Sequence, residues 1–164
     1  MAEPFPEQIK TPGQVPTLFE WIGGAAVLDK LMDEFYRRVR QDELLAPLFR
    51  RMSDDHPHHV ALWFGEVFGG PEAYTAERGG FRRMRSRHIG KEIRPEQRTR
   101  WVRLMQEAAD EVGLPDDAEF RSAFTAYIEW GSRRAMANSQ PGAKLSPRTT
   151  VPQWGWGESP PGID

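Results

Sequence analysis

The chain has 164 residues, 38% hydrophobic and 28% charged, with a net charge of −2 at pH 7 and no cysteine. That length fits one domain with tails. The near-neutral charge excludes a polyanion binder as a whole molecule, and the missing cysteine excludes disulfides, thiolate zinc sites and cysteine nucleophiles. Six tryptophans and nine phenylalanines provide for a core, at about 1.5–3 kcal/mol for each fully buried large side chain.

Residues 1–16 carry four prolines and little periodicity, and read as an extended arm. They have no apolar run of the kind a signal peptide needs. The stretch AAVLDKLMDEFYRRVRQD places Leu28, Leu31, Met32, Phe35 and Val39 on one helical face, behind the pair Gly23-Gly24. ELLAPLFRRM is a short helix or turn interrupted by Pro47. HPHHVALWFGEVFG starts a helix with Pro57 in its first turn and buries Val60, Trp63, Phe64 and Val67. GGP at 69–71 ends it. Residues 72–83 have weak pattern and read mostly as loop, with a short helix expected from about Phe81 to Ile89, stopped by Gly90. A further helix opens at Pro95-Glu96 with the stripe Trp101, Leu104, Met105, Ala108 and Val112. The last is capped by the acidic pair before Ala118 and faces inward through Phe120, Ala123, Phe124, Tyr127, Ile128 and Gly131. Residues 139–164 are rich in proline and glycine and form a second arm, which Trp154 and Trp156 could dock onto the body.

No segment alternates with period two, so the fold class is all-α, with residues 17–138 as the domain between two arms. There is no internal repeat. No apolar run approaches the ~18 residues of a membrane span, and no nucleophile elbow, phosphate loop, dinucleotide fingerprint or HExxH motif appears.

Four histidines are present, and His88 sits among Arg82, Arg83, Arg85 and Arg87. Near a helix end its Nδ1–H would donate to a carbonyl one turn back, turning Nε2 outward as a metal-ligating imidazole requires; a half-buried histidine in a basic loop is the plainer alternative. The arginines are either a solvated face or partners for carboxylates and phosphates. Tyr36, at the edge of its apolar stripe, and Trp101 each carry a donor that needs a partner if buried. His56 and His59 share a helix face, but no third ligand lies at spacing for an independent zinc site.

Together these residues resemble the truncated haemoglobins of group II, over about Leu18 to Asn138. The resemblance rests on WIGGAAVLDKLMDEFYRRV, with its GG turn and Phe-Tyr pair, on Phe49 thirteen residues after Tyr36, and on FGGPEAY. His88 stands in the place of the proximal iron ligand, and Trp101, thirteen residues on, in that of the group II distal tryptophan. One departure is HIGKEI after the histidine, where relatives often carry H-x-P-F-x-I; only Ile93 keeps its place.

The resemblance implies a truncated globin, a two-over-two helical sandwich around a haem, pairing 24–41 with 57–69 and 95–113 with 116–137. A loosely wound segment, 72–89, would carry His88. It implies haem b, with His88 on the iron and distal donors Tyr36, Trp101 and His56. Phe49, His59, Val60, Trp63, Phe64, Met84, Ile93 and Met105 would line the cofactor, and Arg87 would meet its propionates. The implied role is reversible binding of O2, CO, NO or similar small ligands, with oxygen binding or transport as the family heading. NO dioxygenation or peroxidase-like turnover with an external reductase is the alternative. Neither nucleic acid nor membrane is expected as a partner, the location is expected to be cytoplasmic, and a homodimer is left open. The arms would cover the haem edge, mediate self-association or stay mobile.

Overall fold

The computed structural model describes residues 15–162; most of the N-terminal arm expected at 1–16 lies outside them. Thr17 opens the first helix, α1 (Leu18–Ile22), by accepting from the backbone N–H of Glu20 at 3.1 Å. Gly23 closes it at φ 110°, a left-handed conformation that costs glycine no Cβ clash. The chain then turns into α2 (Ala25–Gln41), whose stripe is buried as the spacing requires: Leu28, Leu31, Met32, Phe35 and Val39 have no exposed surface.

A 3₁₀ turn at Ala46–Phe49 leads to α3 (His56–Val67). At the end of α3 the backbone passes close to α1. A Cβ on Gly70 would stand 2.7 Å from the Phe19 ring and 2.8 Å from the Gly65 carbonyl, so only glycine fits there. Two short helices follow, α4 (Ala73–Arg78) and α5 (Phe81–Ser86). The expected loop over 72–83 is thus largely helical, and the expected helix to Ile89 stops at Ser86. The cause of α4 is tertiary. The buried carboxylate of Glu66 on α3 accepts from Thr75 N at 2.9 Å and from Thr75 Oγ1 at 2.6 Å, satisfying an N–H that the first turn of a helix leaves open.

Helix α6 (Pro95–Glu111) begins with Pro95 and with Gln97 Oε1 accepting from Arg94 N at 2.9 Å. Helix α7 (Ala118–Asn138) is capped by Asp117, which accepts from Phe120 N at 2.8 Å. The other Asp117 oxygen accepts from Trp21 Nε1 at 3.0 Å and so ties α1 to the start of α7.

Helix α2 packs on α3 and on α6, and α6 packs on α7. The α2–α3 and α6–α7 packings are the two expected helix pairs, the α2–α6 contact joins them, and among the described residues no strand occurs. The core runs between the pairs through Phe35, Phe68, Phe120, Phe124, Leu28, Leu31 and Ile128, all fully buried. No described helix is long and apolar enough to cross a membrane.

The segment after α7 docks. Trp154 N donates to the Val67 carbonyl at 2.8 Å, and its ring lies 5.5 Å from Trp130 and 5.6 Å from Tyr127. Trp156 Nε1 donates to the Pro16 carbonyl at 2.7 Å, and its ring meets Trp21 edge to face at 5.5 Å. Two half-buried indoles with ring contacts and engaged N–H groups hold a segment that has no helix of its own.

Candidate functional site

A cavity of about 670 Å³ opens between the helix pairs, within the range of ~300–1,000 Å³ usual for small-molecule and cofactor sites. Each of the helices α2 to α7 contributes to it. Of the residues singled out from the sequence, Tyr36, Phe49, His56, His59, Val60, Trp63, Phe64, Met84, Arg87, His88, Ile93 and Trp101 all line it. Met105 does not. It lies fully buried in the core, one turn beyond Trp101 on α6, and it is Trp101 that lines the cavity at that level.

His88 sits in the turn that follows α5. Arg87 N donates to Met84 O and His88 N to Arg85 O, each at 3.1 Å. The expected ring bond from Nδ1 to such a carbonyl is absent, and among the described residues neither ring nitrogen has a hydrogen-bond partner. The residue lines the cavity. Burial pushes the imidazole down to about pKa 4, with a smaller push from Lys91, so it is neutral at pH 7. A neutral imidazole with an unengaged nitrogen in a cavity is a ready metal ligand.

The HIGKEI turn that follows His88 is held firmly. Lys91 N donates to His88 O at 3.1 Å, and Gly90 at φ 77° and Glu92 at φ 48° make the turn. Ser139, fully buried at the end of α7, then clamps it: its carbonyl accepts from Glu92 N at 3.0 Å and its Oγ from Ile93 N at 2.9 Å.

Across the cavity, Tyr36 Oη and His56 Nε2 lie 3.0 Å apart. Their rings meet edge to face at 4.9 Å, with Phe49 packed on Tyr36 at 5.6 Å. Burial is the main cause that lowers His56 to about pKa 4, with Arg87 adding to it, and burial raises the Tyr36 phenol, so both are neutral at pH 7. Trp101 leans on Phe35 at 5.3 Å, and its indole N–H has no partner among the described residues. The remaining histidines are used elsewhere. His58 turns outward to Asp29 at 2.8 Å, and His59 pairs with Asp55 at 3.4 Å. Among the described residues no cluster of three acidic or histidine side chains could hold a bare ion.

Several lining residues were not singled out from the sequence. Tyr127 was read as core, yet its hydroxyl accepts from Trp63 Nε1 at 2.7 Å behind the cavity wall. A hydroxyl on a buried stripe was the signal available for it. Tyr74, Phe81 and Trp130 add aromatic wall.

The charge of the lining is one-sided. Arg51, Arg78, Arg85, Arg87, Lys91, Arg98, Arg134 and Arg148 contribute, and no described aspartate or glutamate does. Arg98 is engaged by Ser132 Oγ at 3.2 Å and Glu129 at 3.3 Å, and Arg85 by the Ser146 carbonyl. Apolar walls, one unengaged imidazole and a rim of cations fit a flat apolar ring that carries a metal and carboxylates. That is the chemistry of haem.

The sequence model of the bacterial-like globin family matches residues 17–129. The chain is 30% identical over 117 residues to the group 2 truncated hemoglobin YjbI of Bacillus subtilis, covering 71% of this chain and 86% of that relative. Among solved structures, it is similar to the hemoglobin of Chloroflexus aurantiacus, with 35% identity, a TM-score of 0.66, and coverage of 74% of this chain and 98% of that one. It is also similar to the group II truncated hemoglobin of Bacillus anthracis, with 27% identity, a TM-score of 0.68, and coverage of 80% and 99%. The fold and cavity are thus of the globin type. The chain belongs to the bacterial-like globin family, as a truncated haemoglobin of group II with the 2-on-2 arrangement. Membership carries haem-based binding of small ligands as its general function.

Proposed function

We propose that this chain binds haem b in the cavity through His88 and holds O2 tightly by distal hydrogen bonds. The supporting observation is that one cavity brings together the unengaged His88 imidazole and the donors of Tyr36 and Trp101. Haem supplies the iron at which a diatomic ligand binds. The chain's own residues anchor the cofactor, exclude bulk water and choose among ligands.

His88 is held neutral and ready to donate its lone pair, on a turn that Ser139 fixes. Phe49, Val60, Trp63, Phe64, Met84 and Ile93 are the apolar walls, His59 lies at the edge, and Arg87 is the partner of a propionate. The neutral His56 carries one proton. With that proton on Nε2, His56 donates to Tyr36 Oη, and the Tyr36 proton is free for a ligand. With it on Nδ1, Tyr36 donates to His56 and serves the ligand less. A polar ligand favours the first arrangement, in which Tyr36 and Trp101 both donate to it. One solved relative is described as a truncated oxygen-avid haemoglobin from Bacillus subtilis, 30% identical with a TM-score of 0.65, and oxygen avidity is the property this donor pair supports.

Residues 17–138 are the globin domain in this reading, and the cytoplasm is its location. Purified protein should be coloured and change its absorption spectrum on reduction and on CO addition. His88→Gly should lose normal haem attachment and regain it with added imidazole. A colourless protein that takes up no haem defeats the proposal.

A further inference from the structure

The family match ends at residue 129, while the segment from 143 onward is bound to helix after helix. Arg85 Nη1 on α5 donates to the Ser146 carbonyl at 2.5 Å. Trp154 donates through its backbone to Val67 at the end of α3, at 2.8 Å, and through Nε1 to Ala123 on α7, at 3.1 Å. Trp156 reaches Pro16 beside α1. Between these anchors Ser146, Arg148 and Pro152 face the cavity. The matched structures are covered almost whole by 74–80% of this chain, so part of this chain has no counterpart in them.

We propose that residues 143–156 are a strap that retains the cofactor, and that Arg148 binds one of its carboxylates. The inference rests on the haem reading above. Release of a cofactor needs a wall to open, and the wall between α5 and α7 is closed by a segment whose bonds would all have to break or shift. Arg148 is the strap's own cation in a lining without described acids. Its guanidinium has no partner among the described residues, while its backbone N–H bonds to Ser146 Oγ at 3.2 Å and shapes the turn that presents it. An arginine matches a carboxylate by charge and by fork geometry. The strap thus serves cofactor retention.

The test measures haem release from the full-length loaded protein to an excess of a cofactor-free globin scavenger, followed by absorbance. Arg148→Ala should release haem about two- to fivefold faster, the range of a solvent-exposed ion pair. The gap should shrink with salt and vanish for haem dimethyl ester, which has no free carboxylates. Arg50→Ala, exposed and outside the lining, should release at the parental rate. Trp154→Phe keeps a smaller aromatic ring and the backbone bond to Val67 and loses the bond to Ala123; it should speed release of haem and of its ester alike, with the thermal midpoint of the cofactor-free protein little changed. Parental release from Arg148→Ala, or an equal effect on the ester, overturns the carboxylate assignment. Parental release from Trp154→Phe overturns the strap. A parental protein that takes up no haem overturns the functional reading and the strap with it.

Discussion

Removing the two distal donors should loosen O2 without opening the pocket. Tyr36→Phe keeps the ring contacts with Phe35 at 4.8 Å and Phe49 at 5.6 Å and deletes only the hydroxyl. Trp101→Phe removes the N–H and shrinks the indole to a single ring, while keeping an aromatic group beside Phe35, which the indole meets at 5.3 Å. A neutral hydrogen bond contributes about 0.5–1.5 kcal/mol net, and ~1.4 kcal/mol is a factor of ten. Each single variant should therefore release O2 roughly two- to twelvefold faster. The double variant should reach roughly five- to 140-fold if the donors act independently. CO takes less negative charge from iron and accepts more weakly, so its dissociation should change far less. Stopped-flow displacement of O2 and of CO from the same ferrous protein measures both. Equal factors for the two gases, or O2 release at the parental rate in the double variant, would refute the donor argument.

Three further outcomes are expected. The cofactor-free protein should lose stability as pH falls from about 6.5 toward 4, because unfolded His56 takes up a proton near its ordinary value and folded His56 only near 4. Up to ~1.4 kcal/mol per pH unit comes from one such group; His88, lowered to about 4 as well, adds a second, so His56→Gln should reduce the slope of a denaturation-versus-pH curve in that window without abolishing it. Tyr127→Phe should cost about 1–3 kcal/mol in urea unfolding, because the buried Trp63 N–H loses its acceptor at 2.7 Å. Glu66→Ala should cost a similar ~1–3 kcal/mol and speed amide exchange across Ala73–Arg78, since Thr75 N and Oγ1 lose their shared partner.

The long helices were legible because their signal is local. Leu28, Leu31, Met32, Phe35 and Val39 repeat at three and four residues, and the buried face follows. The placing of Tyr36, His88 and Trp101 around one cavity came from their spacing along a recognised family pattern. What escaped depended on contacts between distant residues. Helix α4 exists because a carboxylate nine residues earlier caps it, and no pattern within 72–83 announces that. Met105 and Trp101 share a stripe, yet one is core and the other lining, a distinction that the neighbouring helices make. The clamp from Ser139 to the turn after His88 spans 46 residues, so the altered HIGKEI turn could not be judged from its own letters. Proline and glycine marked residues 139–164 as irregular backbone, which the described part, 139–162, is, but that backbone is held in place by two indoles.

One consequence follows from the bond between Trp156 and Pro16, 140 residues apart along the sequence. The polypeptide comes round to nearly meet itself, so a short peptide joining those two places would make a seamless ring. Cutting that ring at the exposed Gly79, between α4 and α5, would yield a rearranged protein with the same interior and with new ends beside the histidine's segment.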